Sequence, residues 1–137
     1  MAVRYLLDTN IASYAIKKNI PLVRQRLLRI PVSDIGISVV TEAELRFGVA
    51  RVAPARKLEL AVEEFLMRVE IFSWSSESAK CYATLRAELE SKGQPVGGFD
   101  LMIAAQAIVE RTILVTNDKV FSRIKGLRVE DWTRTYV

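Results

Sequence analysis

The sequence predicts an α/β fold, a parallel sheet covered by helices on both faces. Three observations predict it. Short apolar runs rich in β-branched residues alternate along the chain with segments of helical periodicity, the pattern of successive β-α units. Leu101 to Val109, LMIAAQAIV, is apolar nearly all round, which marks a buried helix. Asp34 to Val40, DIGISVV, has the β-branched content of a buried strand.

The elements follow in order. Arg4 to Leu7 is a short strand cut off by Asp8-Thr9-Asn10, which reads as a turn or helix cap, and Ile11 to Lys17 is a short helix. Pro21 opens a second helix carrying Leu22, Val23, Leu27 and Leu28, and Pro31 ends it. After the strand at Asp34 to Val40, Thr41 is expected to cap a helix running through Leu45 towards Ala50, with Glu44 three residues on as in a capping box. Pro54 starts a helix whose apolar set is Leu58, Val62, Phe65, Leu66 and Val69. Glu70 to Trp74 is a third strand. Ser78, Tyr82, Leu85 and Leu89 mark a helix that stops at Gly93, where the one loop dense in turn residues begins. Thr112 to Thr116 is a fourth strand, Val120 and Phe121 begin a short helix, and Leu127 to Val129 is the last strand.

The 137 residues are expected to form one domain over 1–137, since half are apolar and 26% charged, an ordinary globular composition. No apolar run approaches the roughly 18–20 residues that span a membrane, and the N-terminus reads as a first strand rather than a signal peptide. Cys81 is the only cysteine, so no intrachain disulfide can form, and a reducing, cytoplasmic setting is expected. The formal charge is +4; setting aside four candidate ligand acids leaves twelve acids against 20 Lys and Arg, or +8 elsewhere. Such a surface suits a polyanion, although a solvated charged surface would look the same.

The four acids are Asp8, Glu44, Asp100 and Asp118, each beside an apolar run. Asp8 and Asp118 follow strands, Glu44 lies one turn into a helix, and Asp100 opens the buried helix. In a parallel sheet these positions face one crevice at the carboxyl ends of the strands. Gathered carboxylates repel and need a cation, and with no histidine in the chain the donor set suits Mg²⁺ or Mn²⁺ rather than zinc. Each acid also has a plain alternative: Asp8, Asp100 and Asp118 as helix caps, Glu44 as the partner of Thr41. Glu42 rivals Glu44, and the two cannot share a helix face.

The missing histidine excludes a Ser-His-Asp triad and the paired-histidine chemistry of metal-free ribonucleases, and no phosphate-binding or dinucleotide-binding glycine motif is present. Gly97-Gly98 reads as a turn near the site or a plain loop. Cys81, Trp74 and Trp132 read as packing residues rather than reactive or base-stacking ones.

LLDTN near the start, TEAELRFG, GxPVGxxDLMIAAQA and LVTND followed by Phe121 together resemble the PIN-domain ribonucleases, and within them the VapC-type toxins of toxin–antitoxin pairs. The resemblance runs in order from about Val3 to Trp132. It implies a three-layer α/β/α sandwich with a central, mainly parallel sheet and an endoribonuclease dependent on Mg²⁺ or Mn²⁺. It places the family's acids on Asp8, Glu44 rather than Glu42, Asp100 and Asp118, with Asn117 a substitute fourth ligand. Asn10 and Thr116 would orient the carboxylates. It further implies a cognate VapB-type antitoxin that inserts a segment into the site, and a homodimer.

The mechanism expected is hydrolysis by an activated water, leaving 5′-phosphate and 3′-hydroxyl ends. Arg46, Arg86 and Lys119 are the candidates for binding flanking phosphates of the RNA, tRNA being one candidate substrate. Rival readings are a haloacid-dehalogenase-like phosphatase, which would need an acid where Asn10 stands, a non-catalytic binding module of this fold, and a DNA-directed nuclease.

Overall fold

The computed structural model describes residues 2–135, so both ends of the expected 1–137 domain lie outside the described residues. Its elements are β1 (Tyr5–Leu7), α1 (Thr9–Lys17), α2 (Pro21–Leu28), β2 (Ile35–Ser38), α3 (Val39–Ala50), α4 (Arg56–Arg68), β3 (Glu70–Phe72), α5 (Ser76–Ser91), α6 (Gly98–Val109), β4 (Ile113–Val115) and β5 (Val129–Glu130). A 3-10 turn at Lys119–Arg123 joins the last two strands. The five strands form one sheet in the order β3-β2-β1-β4-β5 with every pair parallel. This is the expected α/β class.

Strand alternation divides the core. Tyr5, Leu7, Ile35, Ile37 and Val115 face one side and pack with Ile11 and Ala12 of α1, Val23 of α2, Leu45 of α3 and Val62 and Leu66 of α4. Leu6 and Leu114 face the other side and pack with Leu85 and Leu89 of α5, the buried face of α6 and Phe121. The α6 sequence was apolar all round because it is covered all along: Leu101 and Ile103 to Ala107 are buried. Gly36 sits between Ile35 and Ile37 on the α5–α6 side, where a Cβ would come within 2.9 Å of the Phe72 ring. Only a residue without a side chain lets β2 and β3 pack there.

Helix boundaries depart from the sequence reading in an instructive way. β2 stops at Ser38, whose hydroxyl accepts from Val40 N at 2.9 Å and caps α3. Val39 and Val40 therefore enter the helix despite their β preference, and Thr41 lies inside it rather than capping it. Glu44 is then too deep to be the N3 partner of a capping box. Likewise α4 begins at Arg56 rather than Pro54, β3 ends at Phe72, and β5 starts at Val129. Trp132 is buried edge-on to Tyr5, ring centroids 5.1 Å apart, and its indole N–H donates to Glu130. Among the described residues no helix is long and apolar enough to cross a membrane.

Candidate active site

The strand order reverses at β1: β2 and β3 add on one side of it, β4 and β5 on the other. At such a point the connections diverge and leave a crevice beyond the carboxyl ends of the strands. Asp8 follows β1 directly, and its N–H donates to Val115 O at 3.0 Å, so it stands at the end of the β1–β4 pair. Its carboxylate Oδ1 accepts from Ile11 N at 2.9 Å and caps α1. The capping reading of Asp8 and the site reading are thus compatible, because one oxygen serves the helix.

Asp8 is 4% exposed. Burial pushes its carboxyl up to about 6, aided by the charges of Asp100 and Asp118, while hydrogen bonds from the Thr116 hydroxyl and Ile11 N–H pull it back. Asp100, the third residue of α6, is also raised, first by burial and then by the charges of Asp118 and Glu44. Asp100 is therefore the acid that links the four chosen from the sequence: its charge bears on Asp8, and those of Asp118 and Glu44 bear on it. Asp118 Oδ1 accepts from Val120 N at 2.9 Å, and Asp118 N donates to Thr116 Oγ1 at 3.0 Å. Thr116 thereby touches both Asp8 and the Asp118 turn. Asp100 does not cap its helix; Gly97 holds that position with φ −55°, an ordinary value, so the Gly97-Gly98 pair is not required by backbone strain.

Glu44 is held from another element. The Thr9 hydroxyl donates to Glu44 Oε1 at 2.5 Å and lies 3.2 Å from the buried Thr41 hydroxyl. Glu42, the rival, pairs with Arg46. Thr9 offers a hydroxyl donor in the turn after Asp8; that the donor orients Glu44 is what sequence reasoning missed.

Of the remaining candidates, Asn10 lines a cleft of about 240 Å³ together with Thr9, Ser13, Lys17 and Glu44, and Asn117 is exposed beside Asp118. Arg46 is engaged with Glu42 at 2.8 Å and Glu63 at 2.5 Å, and Arg86 with Glu90 at 2.7 Å and the Tyr82 hydroxyl at 2.9 Å. Lys119 is exposed in the turn that Asp118 caps and has no ion pair among the described residues. Arg123 donates to Pro95 O at 2.7 Å and so ties the turn after Asp118 to the loop before Asp100.

Among the described residues no three acidic side chains stand close enough to hold a metal ion as they are. Like charges repel, and that repulsion adds to burial, the larger cause, in raising the carboxyls of Asp8 and Asp100. The donor chemistry nonetheless fits a hard cation: three carboxylates that each interact with Asp100, and no imidazole anywhere in the chain.

The PIN-domain pattern matches residues 5–127. Ribonuclease VapC2 of Rickettsia felis is 40% identical over 132 residues, covering 95% of this chain and 98% of that protein. The tRNA(fMet)-specific endonuclease VapC of Salmonella typhimurium is 38% identical, covering 94% and 98%. The chain belongs to the VapC-type ribonucleases of the PIN-domain family. Two solved structures of VapC-type complexes share its fold at a TM-score of 0.86 and 38% identity. One is VapBC2 of Rickettsia felis bound to a promoter DNA fragment, over 95% of this chain and 99% of that one. The other is DNA-bound VapBC of Salmonella typhimurium, over 95% and 98%.

Proposed function

We propose that this VapC-type chain, a single PIN domain, is the toxin of a toxin–antitoxin pair and hydrolyses RNA at Asp8, Glu44, Asp100 and Asp118. The observation that carries the assignment of the site is the charge interaction of Asp100 with each of the other three acids, beside the strand-order reversal that Asp8 follows. Mg²⁺, or Mn²⁺, is the ion their oxygens suit; bound there it would polarise the scissile phosphoryl group and lower the pKa of water. The chain's own groups prepare the geometry. Ile11 N–H and the Thr116 hydroxyl fix Asp8, the Thr9 hydroxyl fixes Glu44, and Val120 N–H fixes Asp118. Carboxylates restrained in this way lose little freedom when they close on a cation. Asn10 and Asn117 stand at the rim as further oxygen donors.

Water as the attacking group leaves 5′-phosphate and 3′-hydroxyl ends. Lys119, with Arg46 and Arg86 once their ion pairs yield, would bind flanking phosphates. A tRNA is the first substrate to try, since one relative is a tRNA(fMet)-specific endonuclease. The cytoplasm, where such RNA is found, would be the place of action. The VapBC complexes of relatives suggest a VapB-type antitoxin for this chain. The cleft that opens from Thr9 and Glu44 and continues over Ile16, Leu45, Val49 and Val62 suits an amphipathic segment of such a partner, and a homodimer is the assembly proposed.

The test is incubation of the purified chain and its Asp8→Asn variant with total RNA in Mg²⁺, Mn²⁺ or EDTA, followed by sequencing of new ends. Discrete metal-dependent cuts with 5′-phosphates, absent in the variant, are expected. Cyclic 2′,3′-phosphate ends would reject the water mechanism, and cleavage by the variant would reject the site.

A further inference from the structure

Among the described residues the fold buries or half-buries every aromatic side chain except two: Phe47, 65% exposed, and Phe99, 61% exposed. Both belong to helices that carry site acids. Phe47 lies one turn beyond Glu44 on α3, on the same side of the helix, and Phe99 directly precedes Asp100 on α6. The two helices pack against each other, and the charge of Glu44 bears on Asp100. Each ring adjoins a glycine, Gly48 or Gly98, where an added Cβ would meet nothing within 4 Å. The surface beside each ring is therefore open. The remaining exposed large apolar residues among those described are aliphatic, Leu28 on α2, Leu60 and Met67 on α4, and Val32, Val52 and Val129 elsewhere.

A phenyl ring left in water gives up the burial that stabilises most aromatic residues, and here that happens twice, both times beside a candidate catalytic carboxylate. We infer that Phe47 and Phe99 are stacking platforms for unpaired RNA bases on either side of the scissile phosphate. The inference rests on the nucleolytic reading above and narrows it: the substrate is single-stranded at the cut, because a base within a duplex presents no free face to a ring. An RNA occupant also matches the +8 charge that remains when the four site acids are set aside. Stacking tolerates any base, so these rings set strandedness and register rather than sequence.

The experiment uses oligoribonucleotides spanning a mapped cut, with 2-aminopurine on either side of it, bound to the full chain in the uncut state (Asp8→Asn, or wild type in EDTA). Quenching of 2-aminopurine on binding is expected. Phe99→Leu and Phe47→Leu each abolish it for the base they serve, weaken single-strand binding roughly tenfold, and raise KM while leaving kcat nearly unchanged. Phe99→Trp and Phe47→Trp restore both, and duplex RNA binds all variants equally. The inference is overturned if the leucine variants quench and bind as wild type does. It is equally overturned if lost binding accompanies a change in sedimentation from dimer to monomer, which would make the rings a contact between copies. Absence of any metal-dependent cutting by wild type, with ring-dependent quenching of an unstructured oligonucleotide intact, would sink the nucleolytic reading and leave the platforms standing.

Discussion

Thr9 Oγ1 donates to Glu44 Oε1 at 2.5 Å, and so joins the first turn of α1 to the middle of α3 across 35 positions of sequence. Asp8 and the residue that holds Glu44 are thus neighbours in the chain, since Asp8 caps the helix that Thr9 opens. Thr9→Val keeps the shape but removes the donor. The fold should survive, because the bond is only partly buried, and RNA cleavage should fall roughly 10–100-fold, as when groups that orient metal ligands are removed. Thr9→Ser should retain most activity. Initial-rate cleavage assays on the three proteins decide it: a fully active valine variant would show that Glu44 needs no orienting.

Asp8 makes a pH prediction with a definite sign. Its folded-state carboxyl lies near 6 against an ordinary 3.8, so the folded chain favours the protonated form. The stability this group confers is complete below about pH 4 and is lost as the pH rises through 6, by about 3 kcal/mol at most. Asp8→Asn removes that loss while its side-chain oxygen can still cap Ile11 N. In EDTA the variant should be more stable than wild type at pH 7.5, and the gap should close towards pH 4. Millimolar Mg²⁺ should stabilise wild type and leave the variant unmoved, since a cation binding only the folded state adds stability by mass action. Denaturant melts across pH check both halves. A variant less stable than wild type at pH 7.5 would mean that Asp8 is a structural anion.

Much of this was legible in the chain, for identifiable reasons. β1 and β4 end abruptly in Asp8 and in Thr116-Asn117-Asp118, so the acids at strand ends could be read from where apolar runs stop. Glu44 and Glu42 take different partners, Thr9 and Arg46, and only the second lies at a spacing the sequence shows. The start of α3 was not legible: Ser38 and Thr41 are both good caps, and the cap is fixed by where β2 leaves the sheet, which is a tertiary matter. The Thr9–Glu44 bond was equally hidden, as nothing local links positions 35 apart. The pairings Glu42–Arg46 and Arg86–Glu90 lie at helical i, i+4 spacing and were available to a closer reading.

Those pairings set an order among the basic residues. Arg46 and Arg86 hold carboxylates in ion pairs that RNA would have to displace, whereas Lys119 has no such partner among the described residues and adjoins Asp118. Lys119→Ala should therefore weaken RNA binding more than Arg46→Ala or Arg86→Ala. It should also lower the salt slope of log K by about 0.7, the value of one phosphate contact on a single strand. Binding titrations at several salt concentrations measure this directly. Equal slopes for Lys119→Ala and wild type would take Lys119 out of the RNA path.

Gln106 governs how α6 meets the sheet. It is fully buried, and its Nε2 donates to Phe72 O at 3.2 Å and Ser73 O at 2.9 Å, while Oε1 has no partner among the described residues. The amide thus ties α6 to the end of β3 and the residue after it. Gln106→Leu removes one unsatisfied buried oxygen and loses two part-buried hydrogen bonds, each worth about 0.5–1.5 kcal/mol. A net destabilisation of no more than about 1 kcal/mol is expected, read as a lower urea midpoint at unchanged slope. Since Asp100 sits on the same helix, the variant should also lose activity in parallel with its folded fraction and no further. A stable variant would show that water reaches Phe72 and Ser73 in place of the amide; a stable but inactive one would make Gln106 part of the site itself.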